Sequence, residues 1–142
     1  MTTDLDSHIR WMIRSNYSEV LYVDARCYED PLTYTELIRT LRNNSVISVV
    51  LEDDNEIHGY CIYELSAGTI KIIRFGVEPT HRRCGVATAL LQRLKDKLSN
   101  QRRDTIVTVV SGQAIQAQLC LARCGFVAEP QPFDLIRFTY TI

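Results

Sequence analysis

Val77-Glu78-Pro79-Thr80-His81-Arg82-Arg83-Cys84-Gly85-Val86-Ala87-Thr88 is the stretch on which the fold turns. Before it, Thr69 to Val77 is a β-branched and aromatic run of the kind that forms strands. After it, Val86, Ala89, Leu90, Leu94 and Leu98 recur at helical spacing, and Gln92, Arg93, Lys95, Asp96 and Lys97 cover the opposite face. The segment therefore takes the chain from the end of a strand into the start of a long amphipathic helix. Gly85 and Ala87 are small where backbone has to come close to a ligand. The first N–H groups of a helix have no intrahelical partner and point outward as donors to an anion. Arg82 and Arg83 add positive charge beside those donors. A diphosphate suits such a loop; the alternative is that Gly85 only relaxes a tight loop and the arginines are solvated.

Working outward towards the N-terminus, Val46 to Glu52, Ile57 to Leu65 and Thr69 to Val77 read as an antiparallel meander. Asp53-Asp54-Asn55-Glu56 and Ala67-Gly68 separate the three strands. Thr33 with Glu36 makes a capping box ahead of Leu37, Ile38 and Leu41, which predicts a short helix. Tyr28-Glu29-Asp30-Pro31-Leu32 links it to an earlier helix that Ser15 caps and that runs through Val20, Leu21, Val23 and Ala25. His8 to Arg14 comes close to strand alternation. Towards the C-terminus, Thr105 to Val110 reads as a buried strand and Ala114 to Arg123 as a helix stopped by Gly125. Phe126 to Ala128 and Phe133 to Ile142 are two last strands around the linker Glu129-Pro130-Gln131-Pro132. The order is β, α, α, three antiparallel strands, α, β, α, β, β.

A chain of 142 residues that is 46% apolar suits one domain over 1–142, with a full core and no need of disulfides or a structural metal. Its formal charge of −1 lacks the surplus of Lys and Arg that duplex nucleic acid or an anionic membrane requires. The five cysteines, Cys27, Cys61, Cys84, Cys120 and Cys124, contain no CxxC pair, so neither a disulfide framework nor a zinc knuckle is indicated. Cys120 and Cys124 share a helix face as two small apolar residues. Met1 to Ser7 is polar, and no apolar run approaches the ~20 residues of a membrane span. These features predict reduced thiols, a cytoplasmic address, and small-molecule or peptide partners for a monomer or homodimer.

The element order, with R-x-x-G-x-A at Arg82 to Ala87 after the fourth strand, resembles the GNAT superfamily of acetyl-coenzyme A-dependent N-acetyltransferases, whose signature is Q/R-x-x-G-x-G/A. The resemblance covers His8 to Phe126. It implies an α/β fold with a mixed, mostly antiparallel central sheet of six to seven strands flanked by about four helices. Within the superfamily the chain is similar to the RimI-type ribosomal-protein alanine N-acetyltransferases. Tyr28-Glu29-Asp30-Pro31-Leu32-Thr33 with Glu36-Leu37 is similar to their Phe-x-x-Pro-Trp-Ser segment, and Cys124-Gly125-Phe126 to their Leu-Gly-Phe after the fourth helix. The resemblance implies transfer of an acetyl group from acetyl-coenzyme A, without a metal, to a primary amine on a peptide N-terminus or a small molecule. Phe75, Gly76 and Val77 would offer backbone groups to the acetyl-pantetheine as an added strand would. Arg82 opens the signature, and Arg83, Cys84, Gly85, Val86, Ala87 and Thr88 would hold the pyrophosphate. The acceptor would arrive between Tyr28 and Leu32 on one side and the short loop Glu129 to Phe133 on the other.

Three positions depart from the RimI-type pattern, two of them proton carriers. The glutamate proposed as general base falls on Val109, and the tyrosine that protonates the departing thiolate falls on Leu121. Neither residue can move a proton, a service worth about 10²–10⁴-fold in rate. The coenzyme-contacting asparagine falls on Ala114, with Gln113 beside it as a substitute amide. Glu64, Tyr63 and His81 are the remaining candidate proton carriers, and in a regular strand Tyr63 and Glu64 face opposite ways. The sequence thus predicts an N-acetyltransferase, with a catalytically weakened acyl-coenzyme A sensor as the second reading and a plain interaction module as the third.

Overall fold

The computed structural model of the chain describes residues 5–81 and 85–142. Among these, seven strands form one sheet: β1 Ile9–Trp11, β2 Val46–Asp53, β3 Glu56–Ser66, β4 Gly68–Val77, β5 Arg103–Ser111, β6 Val127–Gln131 and β7 Leu135–Thr141. Their spatial order is β1-β2-β3-β4-β5-β7-β6. Only β4 and β5 run parallel; the other neighbours are antiparallel. Four helices, α1 Tyr17–Ala25, α2 Tyr34–Leu41, α3 Val86–Lys95 and α4 Ile115–Arg123, complete the mixed α/β architecture.

Local chemistry sets these boundaries. Asp54 and Asn55 both take positive φ, 53° and 63°, in the tight turn whose twist suits the β2–β3 hairpin. Thr33 accepts from the Glu36 amide at 3.1 Å while the Glu36 carboxylate accepts from the Thr33 amide at 3.0 Å, the reciprocal cap expected for α2. Gly125, at φ 89°, closes α4: the Phe126 amide reaches the Leu121 carbonyl at 3.0 Å and the Gly125 amide reaches that of Ala122 at 3.1 Å. Phe126 and Leu121 then both enter the core.

The sheet separates two apolar layers. Against α3 and α4 pack Val49, Leu51, Tyr63, Ile70, Ile72, Phe75 and Ile106 with Leu90, Leu94 and Leu121. Against α1 and α2 pack Val50, Ile57, Tyr60 and Ile62 with Val20, Val23 and Leu37. No residue of β5, β6 or β7 belongs to the second layer. The α1–α2 pair therefore covers one half of its face of the sheet, and among the described residues nothing covers the other half.

Three sequence expectations shift. His8 to Arg14 contributes only Ile9–Trp11 to the sheet, between 3-10 turns at Leu5–His8 and Arg14–Asn16. The third long helix stops at Lys95 rather than reaching Leu98, because Lys97 and Leu98 bond back to Leu94 and Lys95 in tighter i to i−3 turns. Glu129 to Gln131, read as linker, are part of β6. Pro130 is tolerated there because β6 is an edge strand with no neighbour on its outer side.

Candidate active site at the fork between β4 and β5

The parallel β4–β5 ladder runs from Gly68↔Arg103 to Lys71↔Val107 and ends there. Just beyond, Thr108 Oγ1 donates to the Ile72 carbonyl at 3.3 Å, and the two strands diverge. On its other side β4 stays paired with β3, with a bulge that leaves Ile73 without an opposite residue. The bulge places Arg74 on the α1 side, and Phe75 and Val77 on the α3 side.

Which backbone groups face the fork follows from one bond. The Glu78 amide donates to the His58 carbonyl at 2.8 Å, so Glu78 and, two residues back, Gly76 point their polar groups at β3. Those of Phe75 and Val77 then point into the fork. Two side chains from the end of α1 take the carbonyls: Tyr28 Oη donates to Phe75 O at 2.7 Å, and Cys27 Sγ donates to Val77 O at 3.3 Å. Among the described residues, the Phe75 and Val77 amides face no strand. Gly76 is required by this closeness, since a Cβ there would lie 2.8 Å from the Tyr60 ring and 3.1 Å from Cys27 Sγ.

A buried ion pair fixes the α1–α2 connection over the fork. Asp24, fully enclosed, accepts from Arg74 Nε at 2.7 Å, Arg74 Nη2 at 2.9 Å, the Leu32 amide at 2.7 Å and the Tyr60 hydroxyl. Arg74 also donates to Asp30 O at 2.9 Å, and its guanidinium carbon lies 3.7 Å from the centroid of the Tyr28 ring. Burial works against the Arg74 charge, but the hydrogen bonds and charge of Asp24 outweigh it and raise its pKa. Burial, partly offset by the Arg74 charge, pushes the Tyr28 phenol up to about 12, so at neutral pH it is a donor. Tyr28 and Leu32, expected at the acceptor's path, are both held by this network. Sequence reasoning missed Asp24. The signal was available, because Asp24 shares the apolar stripe of Val20 and Val23 and a carboxylate on such a stripe needs partners.

The first turn of α3 faces the end of β4. Gly85 caps the helix in the left-handed region at φ 80°, and a Cβ placed there would lie 3.7 Å from its nearest neighbour, an atom of Leu5. Val86 is buried, Ala87 packs against the core and Thr88 is exposed beside Cys124. Gly59 on β3 makes room for this turn, since a Cβ there would stand 2.7 Å from Val86 Cγ1. Arg82, Arg83 and Cys84 lie outside the described residues, as does the side chain of His81. Gln113, at the end of β5, gives its amide to Asp134 in the β6–β7 hairpin at 2.9 Å.

The candidate proton carriers separate as alternation required. Tyr63 is buried on the α3 side with its hydroxyl unpartnered and its pKa pushed by burial to about 12, which turns it away from the open face. Glu64 lies on the open face but opposite Lys71, before the fork, and accepts from Asn43 at 3.4 Å. Val109 is 45% exposed on the diverging part of β5, and Leu121 is enclosed in the core.

The family model described as acetyltransferase (GNAT) family matches residues 9–126. No curated protein matches the sequence. Among solved structures, the ribosomal-protein-S18-alanine N-acetyltransferase of Escherichia coli superposes with a TM-score of 0.80 at 16% identity, covering 94% of this chain and 92% of that one. NAA60 of Arabidopsis thaliana, solved with a bisubstrate analogue, gives 0.79 at 15% identity over 94% and 97%. The PaiA N-acetyltransferase of Thermoplasma acidophilum, in complex with coenzyme A, gives 0.79 at 12% identity over 94% and 98%. At such identities the superpositions speak for the fold alone, and it is the match over residues 9–126 that places this chain in the acetyltransferase (GNAT) family.

Proposed function

We propose that the protein transfers an acetyl group from acetyl-coenzyme A to a primary amine. The observation that carries this reading is the fork, where among the described residues the Phe75 and Val77 amides face no strand and the next helix opens on a left-handed cap at Gly85. Acetyl-coenzyme A supplies the activated acyl group. Phe75 and Val77 fit it, because their free amides can bind carbonyl oxygens as the amides of a neighbouring strand would. Gly85 and the amides that open α3 suit its diphosphate, with Arg82 and Arg83 adding charge.

The chain's own contribution is then positional. Tyr28, pinned by Arg74 and Phe75 O, fixes the wall past which the acceptor comes. With valine at 109 and leucine at 121, no side chain at the two usual positions takes the amine's proton or protonates the thiolate. Alignment alone is worth about 7–11 kcal/mol of barrier, which suffices for an amine that arrives neutral. The rate should therefore rise with pH through the acceptor's own pKa, and follow that pKa when the acceptor is changed. Val109 and Leu121 also favour a second reading, a domain that binds the coenzyme and reports its acylation without turnover.

Calorimetric titration with acetyl-coenzyme A, run beside Gly85→Val, tests the site. Val at φ 80° is strained by roughly 1–2 kcal/mol and its branches crowd the diphosphate. Micromolar binding that the variant loses is the expected result, and absence of binding by the native protein would refute both readings. Thiol release on an amine panel then separates enzyme from sensor.

A further inference from the structure

On the half of the sheet that α1 and α2 leave open, the side chains of β5 and its neighbours can be placed from the register. Lys71 on β4 stands beside Val107, and Arg137 on β7 stands directly across from Val109. Both cations are exposed. Around them the face is apolar: Ile73 is 40% exposed, Val109 45% and Leu135 38%.

Arginines elsewhere in this sheet are engaged. Arg10 binds Glu52 at 2.7 Å, Arg74 binds Asp24, and Arg103 donates to Ser66 O at 2.7 Å. Arg137 has no side-chain partner among the described residues, and neither does Lys71. The carboxylates across the strands are turned to other groups, Glu129 to the Gln131 amide at 3.0 Å and Glu64 to Asn43 at 3.4 Å. Two unpaired cations therefore bracket an apolar strip at the mouth of the fork. A charge-bearing site of that composition attracts an anion carried on an apolar body and repels a second cation.

Resting on the transfer reading above, we propose that the acceptor is an amine that also carries a carboxylate, an amino acid with an apolar side chain. Arg137 and Lys71 hold its carboxylate, and Val107, Val109 and Leu135 receive its side chain. Adjacent strands are about 4.8 Å apart. An Arg137 guanidinium one strand from Val109 thus reaches a carboxylate two to four bonds from an amine held at the fork. Arginine's planar donors suit a carboxylate in two-pronged fashion.

The test compares alanine, leucine, methionine and phenylalanine with their amides, each KM expressed per neutral amine because an α-amino amide is a weaker base than the amino acid, read by coenzyme A thiol release. The native protein should prefer at least one acid over its amide through KM. Arg137→Gln should collapse that ratio roughly ten- to a hundredfold, the range for hydrogen bonds to charged groups. Arg137→Lys should retain part of it, and all three proteins should share one unfolding midpoint because the residue is exposed. Amides used as well as acids, or a ratio indifferent to Arg137→Gln, would overturn the proposal. Should no amine be acetylated, the transfer reading fails, and calorimetry of the N-acetyl acids against their N-acetyl amides with coenzyme A present still decides the site. Carboxylate-dependent binding that Arg137→Gln removes upholds it, and its absence refutes it.

Discussion

Replacing Asp24 by asparagine should destabilise the protein by about 3 kcal/mol. The carboxylate is fully enclosed and surrounded only by donors: Arg74 Nε at 2.7 Å and the Tyr60 hydroxyl on one oxygen, Arg74 Nη2 at 2.9 Å and the Leu32 amide at 2.7 Å on the other. An asparagine is the same size, but whichever way its amide is turned, its NH₂ meets an N–H donor: Arg74 Nε on one side, Arg74 Nη2 and the Leu32 amide on the other. Breaking a buried ion pair from one side costs about 3–5 kcal/mol, since the other charge is left unpaired. The Arg74 side chain is 20% exposed and can turn partly to water, which puts the expected loss at the low end of that range. Urea unfolding followed by circular dichroism measures it, and the midpoint temperature should fall by roughly 10 °C for a chain of this size. Arg74→Met added to Asp24→Asn should recover part of the loss. With the guanidinium gone, the asparagine oxygen can accept from the Leu32 amide while its NH₂ donates to the Tyr60 hydroxyl, which can accept as well as donate. The acceptor KM should also rise more than the coenzyme KM, because the network fixes Tyr28 and Leu32 rather than α3. A loss below about 1 kcal/mol for Asp24→Asn, or full additivity in the double variant, would refute the reasoning.

Gly59→Val should weaken acetyl-coenzyme A binding and lower stability by about 1–3 kcal/mol, because a Cβ would stand 2.7 Å from Val86 Cγ1 and 3.2 Å from the Gly76 carbonyl and push the first turn of α3 away from the sheet. Calorimetry checks the first effect and urea unfolding the second, and unchanged affinity would sink the idea that this turn is placed by Gly59. In alkali, burial raises Cys61 from 9.0 to about 12 and Tyr28 and Tyr63 from 10.0 to about 12. Above pH 9 the folded chain thus keeps protons that the unfolded chain releases. Stability should be full below pH 9 and fall as pH rises towards 12, each group adding up to ~1.4 kcal/mol per pH unit once its unfolded form ionises. Denaturation curves from pH 8 to 11.5 follow this, and a flat profile would contradict it.

The start of α2 and the stop of α4 are legible because their causes are local, whereas α1 begins at Tyr17 behind a 3-10 turn and with no side-chain cap from Ser15. The Thr33–Glu36 cap and the Gly125 stop involve residues a few positions apart, and each was found where the pattern put it. The lengths of α3 and β6 were less legible. Helical spacing kept Leu98 in register with Leu94 although only the packing, not the helix, continues to it, and Pro130 masked a strand whose edge position no local signal reveals. Alternation correctly put Tyr63 and Glu64 on opposite faces, yet only the placed helices say which face is core. The side-chain partners of Asp24, Tyr60 and Arg74, lie 36 and 50 positions away and so are beyond any pattern along the chain. Gly59, inside a strand, is the local sign of a close backbone approach, here to the first turn of α3.

The fork owes its chemistry to an imbalance of donors and acceptors. β5 leaves β4 after Lys71, so the free edge of β4 exposes both kinds of backbone group at Phe75 and Val77. The side chains that reach it, Tyr28 and Cys27, are hydroxyl and thiol donors and satisfy only the carbonyls. With the Tyr28 phenol held protonated by burial, that assignment does not reverse near neutral pH. What remains at the edge is a pair of N–H groups spaced as on a strand, an environment that binds carbonyl oxygens and repels further donors. A thioester carbonyl laid there would be polarised towards attack from the open face, and that is the face on which Val109, Lys71 and Arg137 stand. The absence of a carboxylate at 109 and the presence of cations beside it then act together. An ammonium ion is disfavoured at that spot, and the neutral amine that attack requires is favoured.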